Sequence, residues 1–505
     1  MRHSKAIDII PAEILSIIFE ECLPSTVGSR INRRWRDVSF GYSKLWVEIR
    51  VRIPETDRVA ESPSSRSSMV HLLEKMPLQR LSIGYTSPLG TDSLKSGTHP
   101  TWVSEILKPT LTKVQLTTLR LDGVHIAELV NLAKGAFKSL HSLSISMTTT
   151  QSLEKKGRSS LPRKIQVLKD MPHLCTLILN RQALAYIGIH HAKVPLPWGQ
   201  LTHLEDLGLL GPMGVARFKP YISFLQHCLS KCSKLISLTL WADNLNTDSH
   251  MGQFRDLGTT TTITLKNLES LTLSHGPLRY DPVKNITLFH LFRFPNMKKL
   301  SIVAPRSVTR ISGALIDMHP HLRRFSKLEH LHLDVAHFGR EAITSFLSVI
   351  PNVKTLSIRR EFPLPGAQYD EGCPITAIDQ RPALLPQLET LIFNCDQTVS
   401  ARLAACHEDS VLQLVRTILQ GEEDARFYSG LTQDERRKWE QAIMGFRPHP
   451  MGWLKRIVLL SSDGKRADEI AKSILGVSGV EGRFEVVGCC EGEIPSWTRA
   501  GPESI

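Results

Sequence analysis

The sequence predicts an α/β repeat fold: a curved parallel sheet with outer helices, preceded by a small helical head. Three observations carry that prediction. A short apolar triplet recurs along most of the 505-residue chain, its copies are spaced by about thirty residues, and the stretches between copies have helical periodicity. The last two apolar positions of each copy are two residues apart, so in a strand they share one face. One strand with its connector cannot bury that face alone, whereas stacked copies close a shared core.

Residues 1–53 read as the helical head. Pro11 suits a first helical residue, Glu13 sits in the first turn, and Ile14, Leu15, Ile18, Phe19 and Cys22 follow at helical spacing. Ile31, Trp35 and Val38 suggest a second helix with Arg33, Arg34 and Arg36 on its other face, and Leu45-Trp46 is a third anchor. In this order the segment resembles an F-box, the short helical module that docks the adaptor subunit of cullin-based ubiquitin ligases. The resemblance implies that Pro11, Ile14, Leu15, Ile18, Phe19 and Leu23 contact an SKP-type adaptor, and through it a cullin. Ile31 and Trp35 complete that set by holding the module together. The segment departs from the family in a shorter link from Leu23 to Ile31 and in Asn32, where Cys or Ser is common. Residues 54–77 read as a linker and first cap, with Glu61 to Ser68, like Tyr85 to Thr101 beyond it, rich in Ser, Gly, Pro and Thr.

From residue 78 the triplet reads Leu-x-x-Leu-x-Leu or Ile. It begins at Leu78-Leu81-Ile83, continues through Leu116-Leu119-Leu121, Leu140-Leu143-Ile145, Leu174-Leu177-Leu179 and Leu204-Leu207-Leu209, and ends at Leu454-Ile457-Leu459. The middle residues at 177, 207, 238, 271, 300, 331 and 356 are 30, 31, 33, 29, 31 and 25 apart, a regularity no isolated motif would keep. Ile126 to Phe137, Tyr221 to Cys232, Arg340 to Val349 and Val411 to Leu419 have the spacing of outer-layer helices. Pro172, Pro295, Pro351 and Pro386 each end such a segment and start the turn into a strand.

This pattern resembles the leucine-rich-repeat family, and an F-box followed by such repeats is a recurrent arrangement in that family. The repeats are irregular. The family's buried asparagine, five residues past the middle leucine, is replaced by Val124, Thr148, Gln182, Pro212 and Gly276. The solenoid is expected over 78–488, with an insertion at about 394–453 that holds a helix near Gln433 to Met444, and 489–505 form a C-terminal tail. Glu361 to Pro386 read as a long surface loop.

In such a sheet the residues flanking the inward leucines face the concave side. The candidates for client capture there are Arg120, Asn180, Trp241, Lys299, His330, His332 and Arg359, among small residues such as Ser144, Thr272 and Ser301. An aromatic anchor beside positive charge is the kind of feature that dominates interfaces, and Lys299, His330, His332 and Arg359 would suit an acidic or phosphorylated client.

No catalytic constellation, phosphate loop or dinucleotide motif is present in the sequence, so neither an enzyme nor a cofactor is expected. Cys228 and Cys232 lie one helical turn apart without a second ligand pair, and no metal site is expected. His190-His191 with His203 is no better supported as a ligand set, and Cys489-Cys490 follow a terminal strand at Phe484 to Val487 that favours a packing role. Lys plus Arg number 62 against 49 Asp plus Glu, a net charge of +13. The excess is scattered in short groups, which argues against nucleic acid, although a basic solenoid for RNA or acidic polymers is one alternative. The other alternative is an interaction scaffold whose head no longer docks an adaptor. No stretch reads as a signal peptide or membrane span, and nine scattered cysteines suit a reducing compartment, so a cytoplasmic or nuclear receptor is expected.

Overall fold

The computed structural model describes residues 48–53, 73, 79–85, 102–124, 126–147, 165–206, 227–241, 263–274, 292–303, 324–334, 340–359, 378, 384–394, 412–416, 420, 427, 429–442, 454–461, 465–477 and 485–490. The helical head expected from Pro11 to Trp46 lies outside these residues, as do Glu61 to Ser68 and most of the loop expected before Pro386. The chain divides into two compact units, Met1–Leu235 and Ile236–Ile505.

In the first unit the described strands are β1 (Glu48–Ile53), β2 (Arg80–Tyr85), β3 (Thr118–Asp122), β4 (Ser142–Ser146), β5 (Thr176–Leu179) and β6 (His203–Asp206). Each pairs in parallel with the next in sequence order. Leucine-rich-repeat-like stacking follows directly from the side-chain alternation. Leu81 and Ile83, Leu119 and Leu121, Leu143 and Ile145, and Leu177 and Leu179 form in-register rows, all buried. β1 lies in the stretch read from the sequence as the end of the head, and it adds Ile49 and Val51 to the same core. Helix α1 (Trp102–Lys113) buries Val103, Ile106, Leu107 and Thr110, the i, i+3, i+4, i+7 stripe of an amphipathic helix. Helix α2 is Arg181–Ile189. The helix expected at Ile126 to Phe137 shortens to a 3-10 turn, Ile126–Asn131, which the chain enters through Gly123 at φ 70°.

One register differs from the sequence expectation. Leu204 stands opposite Leu177 and Asp206 opposite Leu179, so Leu204 is the middle residue of its repeat and the triplet is Leu201-Leu204-Asp206. The expected Leu204-Leu207-Leu209 is shifted by one triplet step. The reason lies in the backbone, because the amides of Thr202 and His203 both donate to the Cys175 carbonyl and start the strand there. Leu201 and Leu204 are buried, and the third apolar place goes to the buried Asp206.

In the second unit β7 (Ser237–Trp241), β9 (Ser270–Ser274), β11 (Lys299–Val303), β12 (His330–Asp334), β13 (Thr355–Arg359), β14 (Thr390–Asn394), β15 (Arg456–Ser461) and β16 (Glu485–Cys490) pair in parallel in that order. Short β8 (Ile263–Thr264) and β10 (Phe292–Arg293) pair with each other. The predicted triplets of these repeats keep their register: Leu271, Leu300, Leu331, Leu356, Leu391 and Ile457 share one buried row. Helix α3 (Arg340–Ser348) forms where expected and buries Ile343, Phe346 and Leu347. Helix α4 (Gln433–Ala442) carries a capping box, since Thr432 and Glu435 bond each other and the Thr432 amide donates to Glu435 Oε2 at 2.9 Å. Helix α5 (Lys465–Leu475) packs on β15 and β16 through Ala467, Ile470, Ala471 and Ile474.

Candidate protein-binding face

Opposite the leucines each stack presents a polar face, built in rows by the same register. In the second unit one row runs Thr239, Thr272, Ser301, His332, Ser357, Ile392, Val458, and the row before it runs Ser270, Lys299, His330, Thr355, Thr390, Arg456, Glu485. Lys299 and His330 therefore stand side by side on adjacent strands, about 4.8 Å apart along the hydrogen-bonding direction. His332 is buried at 3% exposure, with Nδ1 2.9 Å from Ser357 Oγ. Burial, then the Lys299 ammonium, pulls the His330 imidazole below its ordinary 6.5, so it is neutral near pH 7. Of the positive cluster expected here, Lys299 is the described side chain that supplies charge, while the His330 imidazole is a neutral hydrogen-bonding group. Arg359 and Trp241 end β13 and β7, and their side chains fall outside the described atoms.

Asn180 does not lie on the capture face. It is fully buried as the N-cap of α2: its Oδ1 accepts from Ala183 N and Met147 N, both at 3.0 Å, and its Nδ2 donates to the Met147 carbonyl at 2.7 Å. One side chain thus caps a helix and bridges to the preceding repeat. Gln182, at the family's asparagine position, is also buried, but neither of its amide atoms has a hydrogen-bond partner among the described residues.

Arg120 is on the polar face of the first unit, and two arginines join it that the sequence reading passes over. Arg50, Ser82 and Arg120 occupy one row across β1, β2 and β3, with Arg80 two residues before Ser82 on β2. Arg50 and Arg80 are exposed. Arg120 is held by Asp122, its Nε donating to both carboxylate oxygens at 3.0 and 2.9 Å. At the far end of that row Glu205 is more than half buried, and burial followed by the Asp206 charge pushes its carboxyl above the ordinary range.

A second feature invisible to the triplet search runs along the edge where the strands begin. The carbonyl immediately before a strand accepts two successive amides of the next repeat at Gln79, Thr117, His141 and Cys175 in the first unit and at Ile236, Glu269, Lys298, Glu329, Lys354 and Glu389 in the second. In the second unit the first residue in this place is Ile236, and from β9 to β15 the residues there alternate in charge: Glu269, Lys298, Glu329, Lys354, Glu389, Lys455. Their side chains pair across repeats, Lys298–Glu269 at 2.8 Å, Lys354–Glu329 at 3.0 Å and Lys455–Glu389 at 3.1 Å. The Lys354 hydrogen bond leads in holding the Glu329 carboxyl below its ordinary 4.5, with the charges of Lys354, His330 and Lys298 adding to it. In the first unit the same places hold Gln79, Thr117, His141, Cys175 and Thr202, and side chains there bond the preceding carbonyl instead, as Thr117 does to Gln79 and Thr202 to Cys175.

Cys228 and Cys232 are buried, and burial pushes both thiols up to about 12, which keeps them protonated and unreactive. Among the described residues no group of three or more His, Cys, Asp or Glu is placed to hold a metal ion, and no helix is long and apolar enough to cross a membrane.

No family model and no curated protein matches the chain. Among solved structures it is similar to the crystal structure of the Rad7 and Elc1 complex in yeast, at 14% identity over 79% of this chain and 87% of the other, with a TM-score of 0.33. It is also similar to an internalin from Listeria monocytogenes, at 13% identity over 80% and 85% of the two chains, with a TM-score of 0.27.

Proposed function

We propose that this chain is a non-catalytic capture subunit: the polar faces of its repeats hold a client protein, and the F-box-like head joins a cullin-type ubiquitin ligase through its adaptor. The observation that carries the capture half is the division of labour within each strand. Leucines are consumed by the core, and the alternate positions form ordered rows of hydroxyl, imidazole and cationic side chains spanning several strands. Ser301, His332 and Ser357 are themselves buried, and the accessible positions of these rows, such as Thr272, Lys299, His330, Thr390 and Arg456, spread polar contacts over several strands, which suits recognition of another macromolecule better than enclosure of a small substrate. Lys299, His330 and Arg120 are the contacts proposed from the described faces, and Trp241 and Arg359 share one register row at the far ends of β7 and β13.

Pro11, Ile14, Leu15, Ile18, Phe19, Leu23, Ile31 and Trp35 are the proposed adaptor-binding set, supported by their spacing and by the F-box resemblance. Co-expression with an SKP-type adaptor tests this half. Stoichiometric adaptor should co-purify with wild type and be lost from Leu15→Asp and Phe19→Asp, while adaptor absent from well-folded wild type would leave a capture scaffold without a ligase.

A further inference from the structure

We propose that the polar face of β1–β3 is an acid-recognition surface that takes a segment of a partner protein in polyproline-II conformation carrying carboxylates about three residues apart. The inference rests on the reading that the repeats capture protein, and it names the chemistry and the place. The place is the arginine row. Arg50 and Arg120 share one register row on alternate strands, which sets their Cα atoms about 10 Å apart. Ser82 lies between them at 9% exposure, so a small hydroxyl forms the floor and two guanidinium groups form the walls. Arg80, one step back on the same strand as Ser82, adds a third cation offset along the strand.

Arg120 is preorganised as a receptor. The Asp122 carboxylate uses its Nε alone, and the terminal amino groups make no hydrogen bond among the described residues. A guanidinium whose direction is already set loses less freedom on binding, and its remaining paired N–H groups match a carboxylate. Three cations spread over three strands meet anions in series rather than converging on one point. That arrangement fits successive carboxylates better than a single phosphoryl group. A segment in polyproline-II conformation advances about 3.1 Å per residue with three residues per turn, so every third side chain returns to one face about 9 Å on, close to the Arg50 to Arg120 spacing. Asp122 and Glu205 on the same face oppose a continuous polyanion such as RNA.

Fluorescence anisotropy with the full chain tests the proposal. The probes are a labelled ten-residue oligoglutamate, its glutamine counterpart, the glutamine peptide carrying one phosphoserine, and an oligouridylate. Oligoglutamate should bind saturably and the glutamine peptide should not. Each of Arg50→Gln, Arg80→Gln and Arg120→Gln should weaken binding about tenfold, as loss of a charge-assisted pair does, while Lys472→Gln, which removes an exposed cation on helix α5, leaves it within about twofold. Arg50 and Arg80 are exposed, so these two variants report even if Arg120→Gln disturbs the fold. Absence of saturable oligoglutamate binding, equal loss in Lys472→Gln, or tighter binding of the phosphopeptide or the oligouridylate would each overturn the proposal. The adaptor plays no part in this measurement, so failure of the arginine row and failure of the ligase reading are told apart.

Discussion

The two units solve the same stacking problem with different edge chemistry. In both, the residue before most of the described strands offers one carbonyl to two amides of the next repeat, and buried leucines form the rows beneath. In Met1–Leu235 that edge is finished with neutral side chains that bond backbone, whereas in Ile236–Ile505 it is finished with alternating Glu and Lys that bond each other. The backbone bonds are what parallel stacking requires. The side chains on top are free to differ, and the difference makes one edge sensitive to salt and charge and the other not.

The largest expected effect tests the part the units share. Leu143→Ala and Leu331→Ala, both fully buried, should each cost about 3 kcal/mol in their own unit, read by urea denaturation with hydrogen exchange resolved by segment. A gap of more than about 1 kcal/mol between them would mean the cores are not equivalent. Next comes the polar interior of the first unit. Asn180→Ala should cost about 2 kcal/mol, because it removes a cap and strands the Met147 amide and carbonyl. Gln182→Met, two residues away, should be neutral or stabilising, since no bond is lost with its amide. Equal losses at the two sites would refute the distinction.

The edge itself is expected to contribute less. Glu329→Lys places a third cation between Lys298 and Lys354 and should cost about 1 kcal/mol at low salt, with most of that recovered in about 1 M NaCl. Thr202→Val in the first unit should show no such recovery, and a salt-dependent loss there would break the comparison.

Acid should separate the imidazoles from the charged edge by pH window. In the first unit burial, then neighbouring charge, lowers the His190 and His227 imidazoles below 6.5, with Lys193 beside the former and His191 and Lys231 beside the latter. His227 also stacks on His191 with ring centres 4.6 Å apart. The unfolded chain takes up protons that the folded one refuses, so their contribution is lost as pH falls from 6.5 through the folded values. Glu329 is lowered from 4.5, so its contribution is present above 4.5 and lost only as pH falls below it. Exchange protection, corrected for intrinsic rates, should begin to decline as pH falls from 6.5 near residues 190–231 and around His330, and the Glu329 edge should add its loss only below 4.5. The reverse order would contradict these assignments.

Much of the fold was legible as a one-dimensional pattern. Apolar triplets are read directly because each leucine's fate depends on alternation within its own strand, and from Leu235 to Leu459 the register follows them. The alternating Glu and Lys edge was equally open to inspection, one place after the first apolar residue of each copy, but a search for apolar positions passes over it. Arg50 was hidden for a different reason: its strand carries no leucine triplet, so the stretch reads as part of the head.

The sequence by itself determined the class of fold, the inward face of most strands and the place of helix α3, because periodicity is a local property. Only the tertiary structure decided the Leu204 register, where two overlapping triplets compete and the Cys175 carbonyl selects between them. Only it could move Asn180 from the surface to the interior, or set Arg50 opposite Ser82 and Ser82 opposite Arg120. Each of these depends on which strand lies alongside which, and that relation is settled by hydrogen bonds between residues about thirty positions apart.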